Sequence, residues 1–297
     1  MTSNDLCSST RSLERQRLRL LVKSAKGVLD NQELRRLWKG VDIVGDIAIL
    51  RLPQELQGSR SLIAQNVLSL APHIKVVLAQ VGPVESQFRT RRLEWLAGEK
   101  RSETVHREFG CKYRVDLNEV YFSPRLGYER KRIADLVSPG ECIVNFFAGV
   151  GSFSVMIARH AHPSRVYSLD LNPIAVRYHL MNNALNGVRE TIDLICGDAN
   201  KIVAASLAGR VDRILLPLPE VALDSLPTAK AALKKGHGFV HCYVFVDASH
   251  REEARNKALL KLDPFVDEVG TIRQNTRAHV VRGVGPCRYQ VCLDLAV

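Results

Sequence analysis

Long apolar runs are missing from this 297-residue chain. None approaches the ~18 residues that a bilayer-crossing helix requires, so no membrane partner is expected. The opening MTSNDLCSSTRSLERQR has no basic start leading into an apolar stretch, so a secretory signal is not expected either. Cysteine is sparse: the seven are scattered and odd in number, none forms a C-x-x-C, and no His pair stands at finger spacing. A metal site therefore has no support, and the thiols read as buried core residues of a protein in a reducing, cytoplasmic setting. Repeats and low-complexity tracts are absent as well.

Acidic residues are outnumbered. Forty-two Lys and Arg face thirty-one Asp and Glu, a net charge of +11. Such a surplus favours a polyanionic partner, because neutralising phosphates releases condensed counterions. The basic residues cluster in three places: from Arg15 to Lys39, at Arg89, Arg91 and Arg92, and from Arg125 through Arg130, Lys131 and Arg132. Solvated helix faces account for the first cluster as readily as RNA contact does.

The chain is long enough for two domains. Residues 1–12 read as a polar tail and 13–110 as a small α+β domain. In the latter, SLERQRLRLLVKSAKGVL and SRSLIAQNVLSLAPHI are helical, the second with a serine N-cap. DIVGDIAIL turns at Gly45-Asp46, KVVLAQVG is a strand, and FRTRRLEWLAGE reads as a strand end or loop. Residues 111–297 read as a second domain, in which strands and helices alternate from about 130: ECIVNFFA, RVYSLDL, TIDLICGDA, VDRILLPLP and GFVHCYVFV are separated by helical segments. Repeated βα units imply a parallel sheet covered on both faces. The last thirty residues, with their Gly-Val-Gly-Pro turn, predict a closing hairpin, the ordering typical of methyltransferases that use S-adenosyl-L-methionine (AdoMet).

The stretch NFFAGVGSFS, residues 145–154, joins the first of these strands to a helix. A triphosphate loop would need a lysine just after Gly151, and none is there. A dinucleotide fingerprint would need a third glycine where Ser154 stands. Asp170 closes the next strand, 21 residues after Gly149, placed to accept from ribose hydroxyls; this does not separate a dinucleotide from AdoMet. Asp198 at the end of the third strand and the LLPLPE ending of the fourth favour AdoMet.

The segment VYFSPRLGYERKRIADLV at 120–137, together with GDIAILRLP, FRTRRLEWLAGE, VNFFAGVGSFS and LDLNPIAV, closely resembles the archaeal and eukaryotic tRNA (guanine-37-N1)-methyltransferases. The resemblance covers about residues 40–295. It implies a class I, Rossmann-like AdoMet domain with a terminal hairpin, preceded by a small α+β RNA-binding domain, and methylation of the guanosine beside the anticodon. Guanine N1 carries a proton at neutral pH and becomes a nucleophile only when a base removes it. The resemblance places that base at Glu129 and the cation for the charge growing on O6 at Arg89, with Arg125 beside them. An i,i+4 ion pair is the plain structural alternative for Arg125 and Glu129. Together with the loop reading, the resemblance sets the cofactor against Tyr121, Phe147, Ala148, Gly149, Gly151, Asp170, Leu171, Asn172, Asp198, Ala199 and Pro217. The base would lie against Arg89, Arg125, Pro217, Leu218 and Pro219. The expected partner is the tRNA anticodon stem-loop, bound by a monomer.

Two departures stand out. Many members have Asn-Leu-Pro where this chain has Pro217-Leu218-Pro219, so the amide that helps hold guanine is missing. The proline version marks an archaeal branch that includes methylators of the tricyclic wyosine intermediate. Before the GDIAIL strand the chain has only a tail and basic helical residues, so the extra N-terminal domain common in the family is expected to be absent or vestigial. The rival readings are a tRNA aminocarboxypropyltransferase, which lacks the SPRL-x-x-E arrangement, an NAD-dependent oxidoreductase, and a non-catalytic RNA-binding module.

Overall fold

A computed structural model describes residues 18–37, 41–85, 88–265 and 276–297. The expected tail at 1–12 lies outside them. The chain divides into two compact units, 1–128 and 129–297.

In the first unit, α1 (18–25) ends before Gly27, whose φ of 79° takes the left-handed turn that a residue with a Cβ resists. Helix α2 (Asn31–Arg36) starts with a capping box. The Asp30 carboxylate accepts from the backbone N–H of Gln32 and Glu33, and Glu33 accepts from that of Asp30. Strands β1 (Val41–Val44) and β2 (Ile47–Leu50) form the hairpin expected around Gly45. Helix α3 (Arg60–Leu70) then crosses to β3 (Val76–Glu85), parallel to β2. The side chain of Ser59 makes no cap bond, contrary to the expected N-cap.

Strand β4 (Thr90–Gly98) pairs antiparallel with β3, so FRTRRLEWLAGE is mostly strand rather than loop. As the outer member of the order β1-β2-β3-β4 it buries few residues, which leaves room for its arginines. Strands β5 (Glu103–Glu108) and β6 (Cys111–Asp116) form a separate hairpin. The core of this unit gathers Leu21, Leu50, Ile63, Val67 and Val77.

Helix α4 (Gly127–Leu136) carries the chain into the second unit. A seven-stranded sheet follows: β7 (Cys142–Asn145), β8 (Arg165–Asp170), β9 (Ile192–Cys196), β10 (Arg213–Leu216), β11 (Phe239–Asp247), β12 (Arg277–Gly285) and β13 (Arg288–Ala296). Their order is β12-β13-β11-β10-β7-β8-β9. The five strands β7 to β11 are parallel; β13 runs antiparallel to β11 and forms the expected closing hairpin with β12. Helices α5 (Ser152–His160), α6 (Pro173–Leu185), α8 (Leu226–Ala232) and α9 (Arg251–Leu260) fill the crossovers. A short helical stretch, α7 (Ala199–Ile202), follows β9. The strand order reverses between β7 and β10, and open α/β sheets bind ligands at the carboxyl ends flanking such a reversal.

Of the cysteines, Cys111, Cys242 and Cys292 are buried and Cys142 half-buried. Cys196 and Cys287 are exposed, so the reading of the thiols as buried does not hold for these two. No described helix is long and apolar enough to cross a membrane.

Candidate active site

The loop after β7 is fixed by its own backbone and by β8. Ala148 N–H donates to the Leu169 carbonyl at 2.9 Å, and Gly149 N–H to Oδ2 of Asp170 at 2.6 Å. Oδ1 of Asp170 takes the Asn172 N–H at 2.9 Å, so each oxygen has one backbone donor and keeps acceptor capacity for a hydroxyl. Burial raises the Asp170 carboxyl above the ordinary carboxylate range, against the opposing pull of those two N–H groups.

The two glycines answer different demands. Gly149 has φ 55° and open space where a Cβ would stand, which suits a loop whose outer side receives a ligand. At Gly151, φ 84°, a Cβ would lie 2.2 Å from the ring of His179. Its constraint therefore comes from α6 behind the loop. Beneath, Asn145 donates to Ser154 at 3.1 Å and Ser168 to Ser154 at 2.7 Å, seating the start of α5 on the sheet. Ser154, standing where a dinucleotide fingerprint has glycine, is thus part of a buried polar network.

Of the other expected cofactor residues, Tyr121 belongs to the first unit, and those of the second lie at or just after strand ends. Phe147 is half-buried and Ala148 buried; Leu171 is exposed. Asn172 is buried and spends its side-chain oxygen capping α6 through Ile174 N–H at 2.9 Å and Ala175 N–H at 3.4 Å. Asp198 caps α7 with Oδ1 alone, on Asn200 and Lys201 N–H, and its other oxygen takes no hydrogen bond among the described residues. Ala199 is buried behind it, while Pro217 and Leu218 are half-buried and Pro219 buried after β10. Carboxylates at the ends of β8 and β9 and an open glycine turn after β7 fit a nucleoside joined to a compact cation without phosphates.

Glu129, in the first turn of α4, is 4% exposed. Arg132 grips it with Nε on Oε2 at 2.8 Å and Nη2 on Oε1 at 2.7 Å. Tyr243 Oη of β11 donates to Oε1 at 2.7 Å, and Nε2 of His279 on β12 stands 3.6 Å from Oε2. The Tyr243 ring lies 5.9 Å from that of Phe153, in the first turn of α5, so one aromatic contact separates Glu129 from the helix that follows the glycine loop. Arg132 also holds Asp294 through Nη1 at 2.7 Å, and Asp294 binds Nδ1 of His241 at 2.6 Å. Burial opposes ionisation of Asp294, but the His241 and Arg132 hydrogen bonds outweigh it and hold the carboxyl well below its usual range. His241, Cys292 and Asp294 bring possible metal-ligand atoms within 4.8 Å of one another. The shared acid already serves Arg132 and His241, and burial pushes the Cys292 thiol well up, so the trio works as a hydrogen-bond network.

Arg125 and Glu129 have separate partners, not the i,i+4 pair considered from sequence. Nε of Arg125 donates to Oδ1 of Asp42 at 2.7 Å, while Glu129 is paired with Arg132. Asp42, 2% exposed, also binds Arg51 at 2.8 Å and Arg91 at 3.4 Å. Burial disfavours its charge, yet three guanidinium groups hold its carboxyl below the ordinary value. Arg89 lies 4.7 Å over the ring of Tyr121 and has φ 56°, a left-handed conformation uncommon for a residue with a side chain.

Sequence reasoning did not single out Asp42, Tyr243, His279 or Asp294. Arg132 offered a signal, three residues from Glu129 on one helix. The others are joined to their partners only by strand register.

The family model of the TRM5/TYW2 methyltransferase domain matches residues 104–267, and that of the TYW2 N-terminal domain matches 21–101. The tRNA 4-demethylwyosine(37)-methyltransferase Taw21 of Saccharolobus solfataricus is 37% identical, over 89% of this chain and 96% of its own. The tRNA (guanine(37)-N(1))-methyltransferase Trm5b of Pyrococcus abyssi is 33% identical, over 90% of this chain and 77% of its own. A solved complex of aTrm5 with tRNALeu superposes with a TM-score of 0.77 at 28% identity, covering 92% of this chain and 76% of that one.

Proposed function

The chain belongs to the TRM5/TYW2 methyltransferase family, and from that membership we propose that it transfers the methyl group of AdoMet to the nucleotide at position 37 of tRNA, forming N1-methylguanosine. The observation that carries this reading is the short path from the glycine loop through Phe153 and Tyr243 to the buried carboxylate of Glu129.

AdoMet supplies a methyl on a positively charged sulfur, electrophilic enough to need no covalent help from the protein. Asp170 would accept from its ribose, Asp198 from its adenine, and the open face of Gly149 would admit its methionine end. The chain's own task is to make the guanine nucleophilic. Glu129, fixed by Arg132 and Tyr243, accepts the N1 proton. Arg89 and Arg125 are the cations assigned to the charge that appears on O6, the second of them held by Asp42. Arg51 and Arg91, on the same buried acid, add positive charge for the RNA backbone. The enzyme would act as a cytoplasmic monomer on the anticodon stem-loop.

One observation favours a second substrate at the same position. Pro217-Leu218-Pro219 ends β10 without the amide expected to hold guanine, and the match over the first unit is to the TYW2 N-terminal domain. Methylation of the tricyclic wyosine intermediate is therefore the companion reading. Incubation with AdoMet and tRNA bearing either guanosine or the tricycle at position 37, followed by nucleoside mass spectrometry, tests both. A gain of one methyl on guanosine supports the first reading and on the tricycle the second. A four-carbon gain would indicate aminocarboxypropyl transfer instead.

A further inference from the structure

Each methyl transfer turns a charged sulfonium into a neutral thioether and replaces one hydrogen of the base, whether N–H or C–H. One proton must therefore leave the protein per turnover. Glu129, which would hold that proton, is 4% exposed. Something must discharge it before the next cycle.

Among the described residues its polar partners are Arg132, Tyr243 and His279. Arg132 is already a protonated donor, held so by Glu129 and Asp294 against the cost of burial. Tyr243 donates to Oε1 and is enclosed, and burial raises its hydroxyl well above the usual range, so it does not carry a proton outwards. Asp294 lies beyond Arg132 and resists protonation. His241 has both ring nitrogens engaged, Nδ1 with Asp294 and Nε2 with Arg213 at 2.7 Å.

His279 differs from all of these. Its Nε2 is 3.6 Å from Oε2 of Glu129, its side chain is 42% exposed, and it sits on β12, the edge strand of the sheet. It lines an open cavity of about 680 Å³ shared with Arg132, Arg213, His241, Arg277 and Asp294. Oε1 already accepts two hydrogen bonds, whereas Oε2 accepts one, so the oxygen with spare capacity is the one facing the imidazole.

We propose that His279 is the proton exit of this enzyme, taking from Oε2 of Glu129 the proton removed from the substrate base and passing it to solvent in the cavity. The inference rests on Glu129 being the base. The O–H bond on Glu129 breaks, its electron pair restores the carboxylate, and the lone pair of Nε2 binds the proton. The imidazolium then gives up one proton to water. The 3.6 Å gap closes with a shift of roughly 0.5 Å, within the reach of an edge-strand side chain, or through one bridging water. The groups facing His279 are Glu129 and Arg132 of α4, Cys292 and Asp294 of β13, and Arg251 of α9. Burial lowers its pKa below the ordinary 6.5, with the attraction of Glu129 and Asp294 opposing, so near neutral pH the ring is an empty acceptor.

The test uses the full chain with AdoMet and tRNA, comparing single-turnover with multiple-turnover methyl transfer in wild type, His279→Ala, His279→Gln and Glu129→Gln. The relay requires His279→Ala to keep its first turnover and to lose roughly 10²-fold in later ones, the lower range for a missing proton-transfer partner, with added imidazole restoring the rate. His279→Gln, which fills the same space, is read in its place if the alanine variant melts early. Glu129→Gln loses the first turnover and is not rescued. In the free protein, the NMR titration midpoint of His279 must fall in Glu129→Gln, because the attraction of the carboxylate is gone. Unchanged steady-state turnover in the His279 variants, or a loss in His279→Ala that imidazole does not restore, overturns the relay while Glu129 stands. Full activity of Glu129→Gln removes the base assignment and the relay with it.

Discussion

Tyr243 and Glu129, 114 residues apart, meet in a 2.7 Å hydrogen bond in which the phenol donates to Oε1 of the carboxylate. Both are almost fully buried, so the bond is not exchangeable for water. Tyr243→Phe leaves a buried charged acceptor one donor short. It should cost about 1.5–3 kcal/mol, as for other hydrogen bonds to charged groups, read as a lower urea midpoint at unchanged slope.

Arg132 joins two acids, Glu129 and Asp294, at side-chain exposures of 19%, 3% and 19% respectively. Arg132→Met strands both carboxylates in a low-dielectric setting and is expected to cost about 3–5 kcal/mol. The double change Arg132→Met with Glu129→Gln should recover part of that loss. Equilibrium unfolding of the four proteins in a double-mutant cycle gives the coupling.

The two loop glycines should respond differently to alanine. Gly149→Ala pays only the left-handed backbone penalty, about 1–2 kcal/mol, yet its methyl group projects into the open side of the loop. Weak AdoMet binding with a nearly normal melting temperature is expected. Gly151→Ala must also displace the His179 ring, so both the melting temperature and AdoMet affinity should fall. Calorimetry and thermal melts on the same samples separate the two.

The chemistry of the loop was legible in sequence because it is local: the glycines, Asp170 and Asp198 recur at successive strand ends. The network around Glu129 was not. Tyr243 and His279 face it only because β11, β13 and β12 pair in a particular register, and nothing near 129 encodes that register. Strand β4 escaped for a different reason. As an edge strand that opens on the adjacent Arg91 and Arg92, it lacks the apolar signature by which a buried strand declares itself. Asp42 looked like one acid in a hairpin until the end of β2, strand β4 and the SPRL turn brought Arg51, Arg91 and Arg125 onto it.

Acid should destabilise the protein early. His179 is fully buried without a hydrogen-bond partner among the described residues, and burial lowers its pKa from 6.5 to about 3. The unfolded chain binds a proton at this site below pH ~6.5 while the folded chain refuses it, so stability falls as pH drops from 6.5 toward 3. The slope approaches about 1.4 kcal/mol per pH unit from this residue alone. His241, also lowered by burial, adds to it in the same direction. His179→Leu should flatten the dependence between pH 6.5 and 5 in urea titrations.

Glu129 is proposed as the base of a methyl transfer to tRNA position 37. A single-turnover assay with methyl-labelled AdoMet and tRNA carrying guanosine or the tricycle at 37, comparing wild type with Glu129→Gln, tests it most directly. Label is expected at position 37 with wild type, and a loss of at least ~10²-fold in the variant at unchanged AdoMet affinity. Label elsewhere in the tRNA, or a variant as fast as wild type, would contradict it.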